Sequence, residues 1–192
     1  ADKILFENEN LHKGLFKWIW MESNSPKKDG MDLTTLEIKG IQKYIFPFFG
    51  SWRALSYGNK IGTSVIPGIN SLLLLKKTPT YCLLTMKDKN KLSYLECGRA
   101  MERFWICANS LGLSIHPMAG FTFLLNHYTT EKARRFSENH REKISSMVRR
   151  YDKSVGPIED NYPIMFFRIG KAKKKAKISP RRDISEILQI KK

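Results

Sequence analysis

The chain of 192 residues predicts an α+β fold in which helices pack on a sheet, and three observations lead there. The apolar pattern runs in the order helix, strands, long helix, strand, helix, strand. Two apolar runs, Ser71–Leu75 and Tyr81–Met86, have strand length and are apolar on both faces, as central strands covered by helices are. Between them and the last strand, Ser93–Leu111 carries a wide apolar stripe at helical spacing and stops at Gly112.

In chain order, Asn8–Met21 reads as a short helix, capped by Asn8 or Asn10, with Leu11, Leu15, Trp18 and Ile19 at helical spacing. Glu22–Met31 is polar, contains Pro26 and Gly30, and is a loop. Thr34–Ile41 starts another helix, and Gly40, Pro47 and Gly50 punctuate the stretch up to residue 50. Ser51–Asn70 holds Gly58, Gly62, Pro67 and Gly68 and is the least regular stretch. The strands Ser71–Leu75 and Tyr81–Met86 flank Lys76-Lys77-Thr78-Pro79. After the charged loop Lys87–Lys91, the long helix sets Leu95, Met101, Phe104, Trp105, Ala108 and Leu111 on its apolar stripe. Leu113–His116 is extended. Thr130–Tyr151 is a more polar helix with Phe136, Ile144, Met147 and Val148 on one side, its first half weakened by Ser137, Asn139 and His140. Pro157 and Pro163 bracket a loop, Ile164–Ile169 is a buried strand ended by Gly170, and a basic coil closes the chain.

Composition bounds the function. A hydrophobic fraction of 42% with 11% aromatics supplies a core for one domain. No apolar run is long enough for a bilayer, and no secretory leader opens the chain, so a cytoplasmic setting without membrane is expected. Cys82, Cys97 and Cys107 have no metal-ligand spacing, and Cys82 and Cys107 read as small core hydrophobes. The formal charge is +16, and Arg168–Lys192 alone holds ten basic residues against Asp183 and Glu186, a net +8. Such a segment attracts phosphate on a cofactor, a nucleic acid or a membrane surface.

Few residues carry chemistry. His12, His116, His127 and His140 lack carboxylate or cysteine partners at ligand spacing, so no metal site is expected. Ser64, Ser71 and Ser114 lack a nucleophile's strand–elbow context. No glycine run has Walker or dinucleotide-fold spacing. There remains Pro117-Met118-Ala119-Gly120, after the Gly112 stop and the extended segment. It is either a plain connector or a turn that presents backbone N–H groups beside a concavity, with His116 next to it.

The stretch GRAMERFWICANSLGLSIHPMAGF resembles the FMN-dependent nitroreductases, where a long central helix precedes Leu-Gly-Leu and a Pro-X-X-Gly-Phe turn. The closest flavour is the nitroreductase-like domain found beside adenylating domains in bacterial fusion proteins. A second match is YPIMFFRIG (Tyr162–Gly170) followed by Ser179-Pro180-Arg181-Arg182, similar to the family's last core strand and its phosphate-binding arginine. The resemblance implies a nitroreductase-like α+β fold with a central, mostly antiparallel sheet. It implies that Pro117, Met118, Ala119 and Gly120 lie against the flavin edge, and that Arg181 and Arg182 take the FMN phosphate, for which a guanidinium fork is suited. The family's opening Arg-Arg-Ser-X-Arg motif and its Pro-Ser-X-X-Asn-X-Gln-Pro-Trp-like motif are absent. The match therefore covers about the last two-thirds of the family fold, and a fragment incomplete at its N-terminus is expected. On this basis residues 1–170 form a partial nitroreductase-like core and residues 171–192 a basic extension carrying the phosphate-binding arginines.

The function so implied is transfer of electrons from NADH or NADPH, through FMN, to an electron-poor small organic acceptor, by a homodimer or a chain completed by a separate N-terminal segment. Its catalytic side chains are not assigned. The alternative is a nonenzymatic module on a degenerate nitroreductase scaffold that holds an acidic partner or nucleic acid with its tail. The absence of base-stacking aromatics in Lys171–Arg182 counts against sequence-directed RNA recognition.

Overall fold

The computed structural model describes every residue except 22–28, 34, 37–41, 175–176, 179–180 and 189–192. It forms two compact units: Leu5–Val65 with Lys174–Lys192, and Ala1–Ile4 with Ile66–Lys173. Helix outweighs strand, 57% against 14%, so the α+β class holds with a small sheet.

The first unit begins in α1 (Asp2–Glu7) and α2 (Glu9–Phe16), the latter capped by Asn8, whose side chain accepts from the Leu11 N–H at 3.1 Å. The expected helix to Met21 stops early. Ile19–Trp20 leaves it as β1 and pairs in parallel with β2 (Met31–Asp32). The expected helix at Thr34–Ile41 lies mostly outside the described residues, and Thr35 and Leu36 form a turn. Next come α3 (Gln42–Gly50) and α4 (Trp52–Lys60). Here the expectation of irregular chain fails, since α3 runs through Pro47 and Ser51 caps α4. A proline inside a helix costs about 3 kcal/mol. Aromatic packing beside it offsets that cost: Phe46 lies on Phe16 at 5.7 Å and Phe49 meets Phe6 edge-on at 5.9 Å. His12, 1% exposed, sits in this cluster, 4.5 Å from Phe16 and 5.4 Å from Trp52, and its Nε2–H donates to the Phe49 carbonyl at 2.6 Å.

The second unit holds α5 (Val65–Lys76), β3 (Thr80–Met86), α6 (Lys91–Ser110), β4 (Ser114–Pro117), α7 (Ala119–Glu131), α8 (Glu138–Val155) and β5 (Tyr162–Gly170); a short α9 (Ile184–Ile187) lies in the tail. Ser71–Leu75, expected as a strand, belongs to α5. A run of five residues cannot distinguish the two states by period, and leucines are good helix formers. Pro67 falls in the first turn of α5, where proline is tolerated.

The sheet has the order β3-β5-β4, antiparallel throughout, with β5 central. Consecutive β5 residues face opposite layers. Phe167, 1% exposed, meets Phe104 and Trp105 of α6, whereas Phe166 meets Phe121 of α7. On the α7 side, Leu125, Val148, Tyr151 and Ile158 form the core, with Leu83, Phe121, Tyr128 and Met147 packed against it. The unit is thus a sheet between α6 and the α7–α8 pair. The stripe on α6 is narrower than expected, because Leu95 and Leu111 are exposed and Cys97 and Ala108 are its buried residues. Cys107, expected in the core, is exposed as well.

The helix expected at Thr130–Tyr151 is two helices. Lys132 and Ala133 take positive φ and break the chain, and Ser137 caps α8 through the His140 N–H. Gly112 is the stop the sequence predicts. At φ +70° it lets its N–H reach the Asn109 carbonyl (3.0 Å) while the Leu113 N–H reaches Ala108 (2.9 Å), a Schellman ending.

Candidate functional site

The Gly112 reversal sends the chain straight into β4, which pairs with the end of β5 in the register Ser114↔Gly170, Ile115↔Ile169, His116↔Arg168, Pro117↔Phe167. One further bond, from the Met118 N–H to the Phe166 carbonyl at 2.7 Å, holds the chain to the sheet. The helix α7 begins at once. The expected four-residue turn is therefore the last strand residue, Pro117, a single joint at Met118, and the first two helical residues, Ala119 and Gly120.

Met118, the residue at the start of α7, makes no side-chain cap. The N–H groups of Ala119, Gly120 and Phe121 have no acceptor within the helix, and they carry the positive end of its dipole. Ala119 is exposed, while Pro117, Met118 and Gly120 are half-buried. A Cβ placed on Gly120 would meet the Ala1 Cβ and Asp2 Oδ1 at 3.7 Å, ordinary contact, so packing within the chain does not require glycine there.

Beside this joint, two residues from neighbouring strands form a pair the sequence did not reveal. Arg168 Nε–H donates to His116 Nδ1 at 2.8 Å, which places the remaining proton of the neutral imidazole on Nε2. Lost hydration, followed by the Arg168 charge, holds the His116 pKa below its ordinary 6.5. The two residues are far apart in sequence, and only the strand register joins them. The available signal was a lone arginine inside the apolar run FFRIG.

The arginines of the tail belong to the other unit. Arg181 and Arg182 are both exposed, and Arg182 pairs with Asp29 Oδ2 at 3.1 Å. Asp183 next to them caps α9, and its carboxyl is held below the usual range first by the Ser185 N–H and then by the Ser185 hydroxyl.

A cleft of about 300 Å³ lies between the end of α7, α8 and the loop at residues 157–159. Tyr128, Lys132, Ser145, Arg149 and Asp152 are among its walls, and Arg149 donates to the Ser145 hydroxyl at 2.9 Å. A shallower groove continues along α8 past Arg141 and Glu142. Pro117–Gly120 line neither. Among the described residues no group of histidine, cysteine and carboxylate side chains is placed to hold a metal ion, and no helix is long and apolar enough to cross a membrane. Comparison of the chain with protein-family models, curated proteins and solved structures finds no match.

Proposed function

We propose that the chain binds FMN and passes electrons from NADH or NADPH to an electron-poor small organic acceptor. The observation that carries this reading is the uncapped start of α7: backbone donors at Ala119, Gly120 and Phe121, anchored to the sheet by Met118. Donors fixed by a strand on one side and a helix on the other suit a ring that gains negative charge on reduction, because they need no reorganisation as the charge develops. When bound, FMN supplies the hydride and electron chemistry; the chain supplies binding, orientation and charge. In this proposal the Ala119 and Gly120 amides hold the electron-rich edge of the ring, and Pro117 and Met118 flank it. Within the other unit, Arg181 and Arg182 are exposed and are proposed as phosphate-binding residues, which the Arg182–Asp29 pair opposes little, since such surface pairs are worth about 0–1 kcal/mol. The exposed apolar residues Ile66, Ile69, Leu72, Leu73 and Leu74 of α5 support a second polypeptide against this unit, either another copy or a complementing N-terminal segment.

The test is FMN binding by the purified chain, read as visible absorbance that survives gel filtration, followed by bleaching with NADH or NADPH under anaerobic conditions. Retained flavin that bleaches supports the reading, and a chain that stays colourless with added FMN refutes it. The exposed lysines Lys171, Lys173, Lys174 and Lys177 favour one other reading, a nonenzymatic module that holds an acidic partner. Polyanion binding that falls steeply with salt, without flavin, would select it.

A further inference from the structure

The cleft beside α8 is walled by charges of both signs that do not pair with one another. Lys132 ends α7, Arg149 and Asp152 stand on α8, and Glu159 follows in the loop. Arg149 and Asp152 are three residues apart on one helix face, the ordinary spacing for an ion pair. Here each is drawn away from the other. Arg149 reaches back one turn and donates to the Ser145 hydroxyl at 2.9 Å, while the Asp152 carboxylate accepts from the Ile158 N–H at 2.9 Å. Lys132 lies over the Tyr128 ring, 5.2 Å from its centre. Among the described residues no ion pair joins any of these four charges to a partner. The floor of the cleft is apolar: Val148 and Ile158 are buried and pack with Tyr128.

The charges decide what fits. The chain carries +16, yet this cleft sets two cations against two carboxylates. A phosphate or larger polyanion would be repelled by Asp152 and Glu159, and a metal ion by Lys132 and Arg149. A ligand with one charge of each sign satisfies both. Arg149 keeps further N–H donors on its guanidinium and Asp152 keeps a second oxygen, so each can take a ligand without giving up its present bond. The volume, about 300 Å³, lies at the lower end of small-molecule sites, roughly 300–1,000 Å³, and suits a compact molecule rather than a dinucleotide. We infer that the cleft binds a free α-amino acid as its zwitterion. Arg149 and Lys132 take the carboxylate, Asp152 and Glu159 take the ammonium, and an apolar side chain lies on Tyr128, Val148 and Ile158. A free amino acid carries both charges on one carbon, whereas a residue inside a peptide carries neither, so the site selects the free compound.

The site needs no flavin, so a colourless protein that binds an amino acid leaves it standing while refuting the flavin reading. The test is calorimetric titration of the full chain at neutral pH with L-leucine, L-methionine and L-phenylalanine. The N-acetyl form of each, which lacks the ammonium, the amide of each, which lacks the carboxylate, and inorganic phosphate are titrated beside them. At least one free amino acid is expected to saturate the chain, with its two blocked forms at least tenfold weaker. Bound ligand should shift the backbone amide signals of Ser145 and Ile158 in NMR spectra. Arg149→Glu and Glu159→Lys, both at exposed positions, should each weaken binding at least tenfold, with circular dichroism to confirm the fold. Should either fail to fold, Arg149→Gln or Glu159→Gln replaces it, with a loss in the same direction. A chain that binds none of the three amino acids overturns the inference, as does a blocked form or phosphate that binds as tightly as the free compound. Reversals that leave binding unchanged, or shifts confined to residues away from the cleft, overturn it equally.

Discussion

Replacing Tyr151 with phenylalanine isolates the joint that brings β5 under α7. The Tyr151 hydroxyl donates to the Asn161 carbonyl at 2.5 Å, the Asp152 carboxylate accepts from the Ile158 N–H at 2.9 Å, and Gly156 reverses the chain at φ +117°. Tyr151 is 4% exposed, and burial, then the neighbouring Asp152 charge, push its pKa from 10.0 up to about 12. The folded state therefore keeps the phenol proton where the unfolded chain has lost it. The stability this contributes is present below pH 10 and is lost as pH rises from 10 to about 12. A sealed phenol would lose about 3 kcal/mol across that window; this hydrogen bond is part-buried, and solvent screening reduces the loss to about 1–2 kcal/mol. Below pH 10 the Tyr151→Phe variant lacks one hydrogen bond and leaves the Asn161 carbonyl without it, a cost of about 1–3 kcal/mol. Urea unfolding of both proteins from pH 8 upwards gives the difference directly. The wild type begins more stable, and its advantage shrinks or disappears above pH 10. Parallel stability curves over the whole range would refute the reasoning.

Removing both tail guanidiniums with Arg181→Ala/Arg182→Ala should weaken FMN by about 1.5–3 kcal/mol and leave riboflavin, which has no phosphate, unchanged in calorimetric titrations. Equal loss for both ligands would assign these arginines a structural role, and no loss for either would place them among the solvated charges. His116 should titrate below 6.5 in an NMR series, and Arg168→Leu should move it back toward that value by removing the charge and the bond to Nδ1. Because the folded His116 resists protonation, the stability it contributes is present above pH 6.5 and is lost as pH falls below it, which acid unfolding of the two proteins will compare.

The long helix and its stop were legible because Gly112 takes the left-handed conformation a Schellman ending demands. Asn8 likewise announced α2, and Tyr81–Met86 and Ile164–Ile169 announced two strands of the sheet. The run Ser71–Leu75 misled, since unbroken leucines carry no period, and its helix begins further upstream, at Val65. The helix α7 was missed for a related reason: AGFTFLLNHYTTE is apolar on most sides and has no capping residue before it. Its end was equally hidden, because Lys132 and Ala133 adopt positive φ without a glycine to signal it. Pro117–Gly120 stood out by residue type, yet that they form a strand end and a helix start depends on the Met118–Phe166 bond, a long-range contact. The Arg168–His116 pair depends on register alone.

The central claim, flavin held at the start of α7, is tested most directly by FMN binding to the wild-type chain and to Gly120→Val. A Cβ at this position meets only ordinary contacts within the chain, circular dichroism checks that the valine variant keeps its fold, and the side chain blocks close approach of a ligand to the Gly120 amide. The wild-type protein is expected to be yellow and saturable by FMN, and the folded variant to have clearly lower FMN occupancy. A wild type that takes up no FMN, or a variant that binds it as tightly, would contradict it.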